Sequence, residues 1–187
     1  MRTLRASGFL LNAATRLRPV GLALDAPSGS GRNARFLSHL GFRVTCLDVE
    51  LETLRTLRSP TYRLTLPSGD KSNVIPSDGG MMGAVCGDML QNHLPFASAA
   101  FDLVVNIHYT VIDMIDEFLR VLKPGGYLLI ETIGAHGGNH EQLPAPGELR
   151  ERLASGFTLI RYAENQVPSP GRAAVTAKVL ARRITGP

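Results

Sequence analysis

The sequence predicts an α/β protein: a doubly wound sheet of about seven strands, mostly parallel, with an antiparallel strand pair at the C-terminal end. Three observations carry this. The stretch Gly21 to Phe36 reads as strand, loop of small residues, helix. Short apolar runs then alternate with segments of helical period through five strands, the pattern of a parallel sheet with helices on both faces. Two final strand-like runs follow with no helix between them, so they should pair antiparallel.

Composition narrows the class. The chain has 187 residues, enough for one domain over 1–187 with a sizeable core. At 44% hydrophobic and 19% charged it has the make-up of a globular protein. No apolar run is long enough to span a membrane, and a cytoplasmic location is expected. The net charge of +4 is scattered rather than blocked, which gives no clear nucleic-acid signal. Cys46 and Cys86 lie in apolar, strand-like segments and are expected to be buried free thiols.

The elements follow in order. Residues 1–19 carry Phe9, Leu10, Ala13, Ala14 and Leu17 at helical spacing, ended by Pro19, and read as an N-terminal helical cap. Leu22 to Leu24 form the first strand. Asp25 to Gly31 is the loop, and Ala34, Leu37 and Leu40 mark a helix from Arg32 that stops at Gly41. Phe42 to Val49 is the second strand, followed by a helix over Glu50 to Arg58. The segment 59–80 is rich in Pro, Ser, Gly, Asp and Asn and reads as a mobile loop, with a possible edge strand at Tyr62. Gly83 to Gly87 is a short third strand, and Gln91 to Ala100 is too short for a full crossover helix. Phe101 to His108 is the fourth strand. Thr110 to Leu122 is a helix, halted by Lys123-Pro124-Gly125-Gly126, and Tyr127 to Ile133 is the fifth strand. Gly134 to Gly147 is a loop, Glu148 to Ala154 a short helix, and Phe157 to Ala163 the sixth strand. A turn-rich Asn165 to Arg172 leads to the alternating strand Ala173 to Arg182.

Ligands of open α/β sheets bind outside the carboxyl ends of the strands. Asp25, Asp48, Asp88 and the cluster Asn106, His108 and Tyr109 all fall there. Gly29, Gly31 and Ala34 fit the dinucleotide pattern G-x-G-x-x-A, with Asp48 19 residues beyond Gly29. A carboxylate at Asp48 can accept two hydroxyl hydrogen bonds from a ribose; as an alternative it caps the following helix. Asp88 can equally be an ordinary turn residue and Met89 a core residue. His108 can act as a general base or form only a wall of the pocket. His136, Asn139 and His140 lie after the fifth strand and are candidate substrate contacts. Gly137-Gly138 argue against a helix there, so no metal site is expected from His136, His140 and Glu141.

Four stretches together resemble the class I S-adenosylmethionine (SAM) dependent methyltransferases. They are Asp25-Ala-Pro-Ser-Gly-Ser-Gly31, Asp88-Met89, Phe101-Asp-Leu-Val-Val105 and Leu122-Lys-Pro-Gly-Gly-Tyr-Leu-Leu-Ile130, within a resemblance that runs from Leu22 to Arg182. The glycine loop departs from the family pattern at Pro27, which stands where the first loop glycine belongs. The resemblance implies a Rossmann-like fold, SAM as cofactor and S-adenosylhomocysteine as product. It implies that Asp25 helps hold the methionine part, that Asp48 holds the ribose, that Asp88 and Met89 hold the adenine, and that Ser28, Gly29, Gly31, Val49 and Asn106 also belong to the cofactor site. It places Asn106, His108 and Tyr109 towards the methyl group and a small-molecule acceptor. The segment Gly31-Arg-Asn-Ala34 is similar to the tellurite-resistance type within the class. Two other readings stand beside it: an NAD(P)-dependent reductase, from G-x-G-x-x-A with Asp48, and a non-catalytic SAM-binding regulatory module.

Overall fold

The computed structural model describes residues 3–18, 20–57, 62–65, 71–74, 82–91, 93–109, 112–134 and 143–185. The chain divides into two compact units, residues 1–89 and 90–187.

The first unit is built on three parallel strands, β2 (Leu22–Asp25), β3 (Arg43–Asp48) and β6 (Met82–Cys86), with β3 in the middle. Ala23, Leu24, Cys46 and Leu47 are buried, as a strand covered on both faces requires. Helix α2 (Arg32–His39) follows the loop, and α3 (Leu51–Thr56) follows β3. The apolar positions Ala34 and Leu37 of α2 are buried as its period predicts, but so are Asn33, Arg35 and Ser38. The N-terminal segment accounts for part of this. Ser7 caps α1 (Gly8–Ala13) by accepting from the amides of Phe9 and Leu10. Its own amide donates to Asn33 Oδ1 at 3.0 Å, and Arg32 donates to the Arg5 carbonyl at 3.3 Å. The N-terminal cap therefore bonds directly to the first turn of α2.

Two expectations need correction in this unit. The segment 59–80 is not loop throughout. It carries β4 (Tyr62–Thr65) and β5 (Lys71–Val74), an antiparallel pair, and β1 (Thr3–Leu4) joins β4 in parallel to make a separate three-stranded sheet. Tyr62 is thus in a strand, but not at the edge of the main sheet. The strand at Tyr62 is expected from the sequence, but the run Lys71-Ser-Asn-Val is too short and polar to announce itself against the surrounding Pro and Gly. Cys86 is exposed, unlike Cys46, because β6 has a neighbouring strand in this unit on one flank only.

The second unit orders its strands β7 (Phe101–Ile107), β8 (Leu122–Glu131), β10 (Ala174–Arg183) and β9 (Phe157–Val167). Strands β7 and β8 are parallel; β10 runs antiparallel to both β8 and β9. The chain thus has a seven-stranded sheet, mostly parallel with antiparallel C-terminal strands, in agreement with the sequence. Helix α4 (Ile115–Val121) is shorter than the predicted span: a 3-10 turn at 112–114 precedes it, and residues 110 and 111 lie outside the described residues. Pairing passes from Phe101–Leu122 directly to Leu103–Tyr127, so Lys123 to Gly126 bulges out opposite Asp102. The bulge has no room for a side chain at Gly126, where a β-carbon would lie 2.9 Å from the Lys123 carbonyl oxygen and 3.1 Å from that of Asp102. The loop that replaces a crossover helix at 93–98 is pinned by α4. Glu117 accepts from the Leu94 amide at 2.8 Å, and Arg120 donates to Glu117 and to the carbonyls of Leu94 and Phe96. The hydrogen bond from Arg120 holds the Glu117 carboxyl down to about 2. Helix α5 (Glu148–Leu153) buries Leu149 and Leu153.

Candidate functional site

Strands β2, β3 and β6 are parallel, so the residues at their carboxyl ends share one edge of the first unit. Asp48 organises that edge. Its Oδ2 accepts from the Gly29 amide at 2.7 Å and its Oδ1 from the Glu50 amide at 3.0 Å. Its carbonyl accepts from the Gly87 amide at 3.0 Å. One residue therefore ties the glycine loop, the start of α3 and the end of β6 together. Helix α3 has Glu50, not Asp48, at its N-cap position. A carboxylate offers about four acceptor sites, and these two amides take two of them, so capacity for further donors remains.

The two loop glycines serve different ends. Both have left-handed backbones, φ +50° at Gly29 and φ +72° at Gly31. At Gly29 a β-carbon would find nothing within 4 Å, so this backbone faces open space. At Gly31 it would lie 2.0 Å from Leu57 Cδ2. Gly29 thus leaves its surroundings open, whereas Gly31 permits the close approach of Leu57, just beyond α3. Gly31→Ala is accordingly expected to lower stability by about 1–3 kcal/mol through overpacking and backbone strain. Urea unfolding at neutral pH measures it; an unchanged midpoint would show that Leu57 yields without cost. The loop is closed by hydrogen bonds from the Ser28 amide to the Leu47 carbonyl and from the Gly31 amide to the Ser28 carbonyl, each 2.9 Å, and the Ala26–Pro27 bond is cis.

Asp25 lies beneath this loop and is wholly buried. The N-cap position of α2 is held by Gly31, which has no side chain to cap the helix. Asp25 Oδ2 takes that part from a distance, accepting from the Ala34 amide at 3.0 Å, while Oδ1 has no hydrogen-bond partner among the described residues. Burial raises its carboxyl to about 8, with Asp48 adding to the rise and Ala34 and Arg32 opposing it. At neutral pH Asp25 therefore keeps its proton. Cys46 on β3 is pushed well above the usual thiol range by burial first and by Asp25 second, and the Ser28 hydroxyl lies beside it. Ser28 is buried, Val49 is 54% exposed, Asp88 is exposed and Met89 is buried. A nucleoside-bearing cofactor fits these residues: an acceptor carboxylate with spare capacity, a loop backbone open at Gly29, and an exposed acid and exposed apolar side chain on the same edge.

In the second unit Asn106 is wholly buried, and its Nδ2 donates to the Tyr109 carbonyl at 2.8 Å. That bond closes a turn with His108 inside it. The His108 amide donates to the Glu131 carbonyl at 2.7 Å, and its backbone is left-handed, φ +75°. An exposed histidine held in this conformation by its neighbours is the sort of local strain found at working sites. Asn106 thus shapes the turn that presents His108. Sequence reasoning passed over Glu131 and Thr132, both buried at the end of β8. Glu131 pairs with Lys178 at 3.2 Å, and Thr132 Oγ1 accepts from the Ala177 amide at 2.6 Å. Two polar residues closing an otherwise apolar run were the available signal. His136, Asn139 and His140 lie outside the described residues. Among the described residues no three His, Cys, Asp or Glu side chains gather as a metal site would need, and no helix is long and apolar enough to cross a membrane.

Comparison with known proteins places this geometry. A methyltransferase domain family matches residues 24–130, from the end of β2 to β8. No curated protein matches the chain by sequence. Among solved structures it is similar to a SAM-dependent methyltransferase from Methanosarcina mazei, with a TM-score of 0.67 at 18% identity, covering 98% of this chain and 100% of that one. It is also similar to TehB from Haemophilus influenzae, with a TM-score of 0.65 at 21% identity, covering 95% of this chain and 62% of that one. A putative methyltransferase from Bacillus halodurans gives a TM-score of 0.62 at 16% identity, covering 94% and 99%. At such identities the structures speak for the fold, which is that of solved SAM-dependent methyltransferases, and the family match speaks for the chemistry: the chain belongs to the methyltransferase domain family.

Proposed function

We propose that SAM is held at the edge organised by Asp48 and that the methyl group passes to a small-molecule acceptor. The observation that carries this is the Asp48 carboxylate, fastened by the Gly29 and Glu50 amides at the end of β3 with acceptor capacity left over. Asp48 accepts the two ribose hydroxyls. The open backbone at Gly29 lets the ligand lie against the loop, Asp88 accepts from the adenine amino group, Met89 lies against the ring, and the exposed Val49 adds apolar surface next to Asp48. When bound, SAM supplies an electrophilic methyl group that needs no further activation, so the protein's share is positioning and exclusion of water. His108 takes the proton of an amine or hydroxyl acceptor, and Tyr109 relays it; a soft, ionised acceptor needs neither.

The test is calorimetric titration of the protein with SAM, S-adenosylhomocysteine, NADH and NADPH in parallel. Micromolar binding of the two sulfur ligands alone is the expected result. Binding of a nicotinamide nucleotide alone would make Asp48 the ribose ligand of a reductase. For the proton-transfer role, His108→Ala is expected to lower turnover about 100-fold while SAM affinity changes less than about threefold. Equal losses in both would make His108 part of the binding surface instead.

A further inference from the structure

Asp25 combines three features that are separately uncommon. It is wholly buried, one carboxyl oxygen has no hydrogen-bond partner among the described residues, and the residue begins the glycine loop, its other oxygen accepting from the Ala34 amide just past the loop's end. The charged and titratable groups around it come from both elements packed against β2 in this unit. Arg32 lies on α2; Asp48 and the protonated Cys46 lie on β3. Arg35 of α2 stands beyond, beside Cys46. These groups leave Asp25 protonated, with no cation close enough to offset its burial.

The cofactor of a SAM-dependent methyltransferase is a cation through its sulfonium. A positive charge brought within several ångströms of a buried carboxyl favours the ionised form, because little solvent lies between them to screen it. We propose that seating SAM on the glycine loop drives the proton from Asp25 into solution, so that cofactor affinity is coupled to pH through a residue buried under the site. The proposal rests on the reading that SAM binds over Gly29 to Gly31. Bond and charge balance are simple: the Asp25 O–H bond breaks, the proton passes to the buffer, and the sulfonium's positive charge offsets that of the carboxylate left behind. After transfer the cofactor is a neutral thioether at sulfur, so Asp25 takes its proton back and the product is held less tightly above neutral pH than SAM is.

Calorimetry in several buffers of different ionisation enthalpy counts the protons exchanged on binding. At pH 7 the wild type is expected to release roughly half a proton or more per SAM bound, in excess of the count for Asp25→Asn. The cofactor's amino group contributes equally to both proteins, so the difference isolates Asp25. Asparagine keeps an oxygen for the Ala34 amide. Equal proton counts in the two proteins would overturn the proposal while leaving SAM binding intact. No SAM binding by the wild type would instead remove the reading on which the proposal rests. A second measurement follows the ratio of SAM to S-adenosylhomocysteine affinity between about pH 6 and pH 9, which should rise about tenfold more in the wild type than in Asp25→Asn. The two ligands' amines titrate differently because of the sulfonium, so the variant supplies the baseline, and equal slopes in the two proteins would also overturn the coupling.

Discussion

Asp48→Ala is expected to weaken SAM binding by at least about 100-fold. Two hydrogen bonds from ribose hydroxyls to a charged acceptor are worth about 1.5–3 kcal/mol each, which alone spans that range. The substitution does more, because the Gly29 and Glu50 amides lose their acceptor and the loop loses its tether to β3. Part of the effect is therefore loss of pre-organisation, and the two parts separate experimentally. Asp48→Asn keeps one carbonyl oxygen but turns an amide N–H₂ towards one of the two backbone donors, so it too disturbs the tether. Asp48→Glu keeps the charge and displaces it by a methylene. If the ribose bonds dominate, Glu recovers part of the affinity for SAM; if the tether dominates, neither variant does. Calorimetry on all three variants, with unfolding midpoints alongside, is the measurement. Unchanged SAM affinity in Asp48→Ala would remove the ribose role and leave Asp48 as a loop brace.

The second large effect is in stability against pH. The Asp25 carboxyl ionises at 3.8 in an unfolded chain and at about 8 in the folded one. Between these values the folded protein holds a proton that the unfolded chain has released, so stability falls as pH rises through the window and levels off above it. At about 1.4 kcal/mol per pH unit the full span corresponds to a few kcal/mol or more, a large share of what holds a domain together. Glu117 acts in the opposite sense. Its carboxyl is held at about 2 in the fold against 4.5 otherwise, so its contribution is complete above 4.5 and is lost as pH falls towards 2. Together they place the stability maximum near about pH 4–5. Asp25→Asn cannot ionise, yet keeps the Ala34 bond, so its stability curve should be flat from about pH 5 to pH 9 and should cross that of the wild type. Urea unfolding at about pH 5, 7 and 9 tests this. Parallel curves for the two proteins would mean that Asp25 stays charged in the fold and that an unseen partner compensates it.

The strand, glycine loop and helix from Leu22 to His39 were legible because each carries a local signature: an apolar run, small residues, a helical period. The same holds for the ends of β3 and β7, where a polar residue closes an apolar run at Asp48 and Asn106. The separate roles of Gly29 and Gly31 were not legible. Both read as loop glycines, and only the position of Leu57, 26 residues beyond Gly31, shows that one of them serves packing. Nor was the burial of Asn33 and Arg35 legible, since periodicity marks the apolar face of α2 and is silent about a segment that returns to cover the other face.

By itself, then, the sequence determined the order of strands and helices, the parallel sheet with its antiparallel C-terminal pair, and the residues gathered at the strand ends. These follow from periodicities of about two and 3.6 residues and from turn chemistry, which act over a few neighbours. The tertiary structure decided what those residues do there. It made Asp48 a tether as well as an acceptor, made Asp25 a buried, protonated cap for α2, and made Asn106 the support of the His108 turn. Each of these depends on which distant backbone amide or carbonyl comes within about 3 Å and on how much water is excluded, and neither quantity is written in a local pattern.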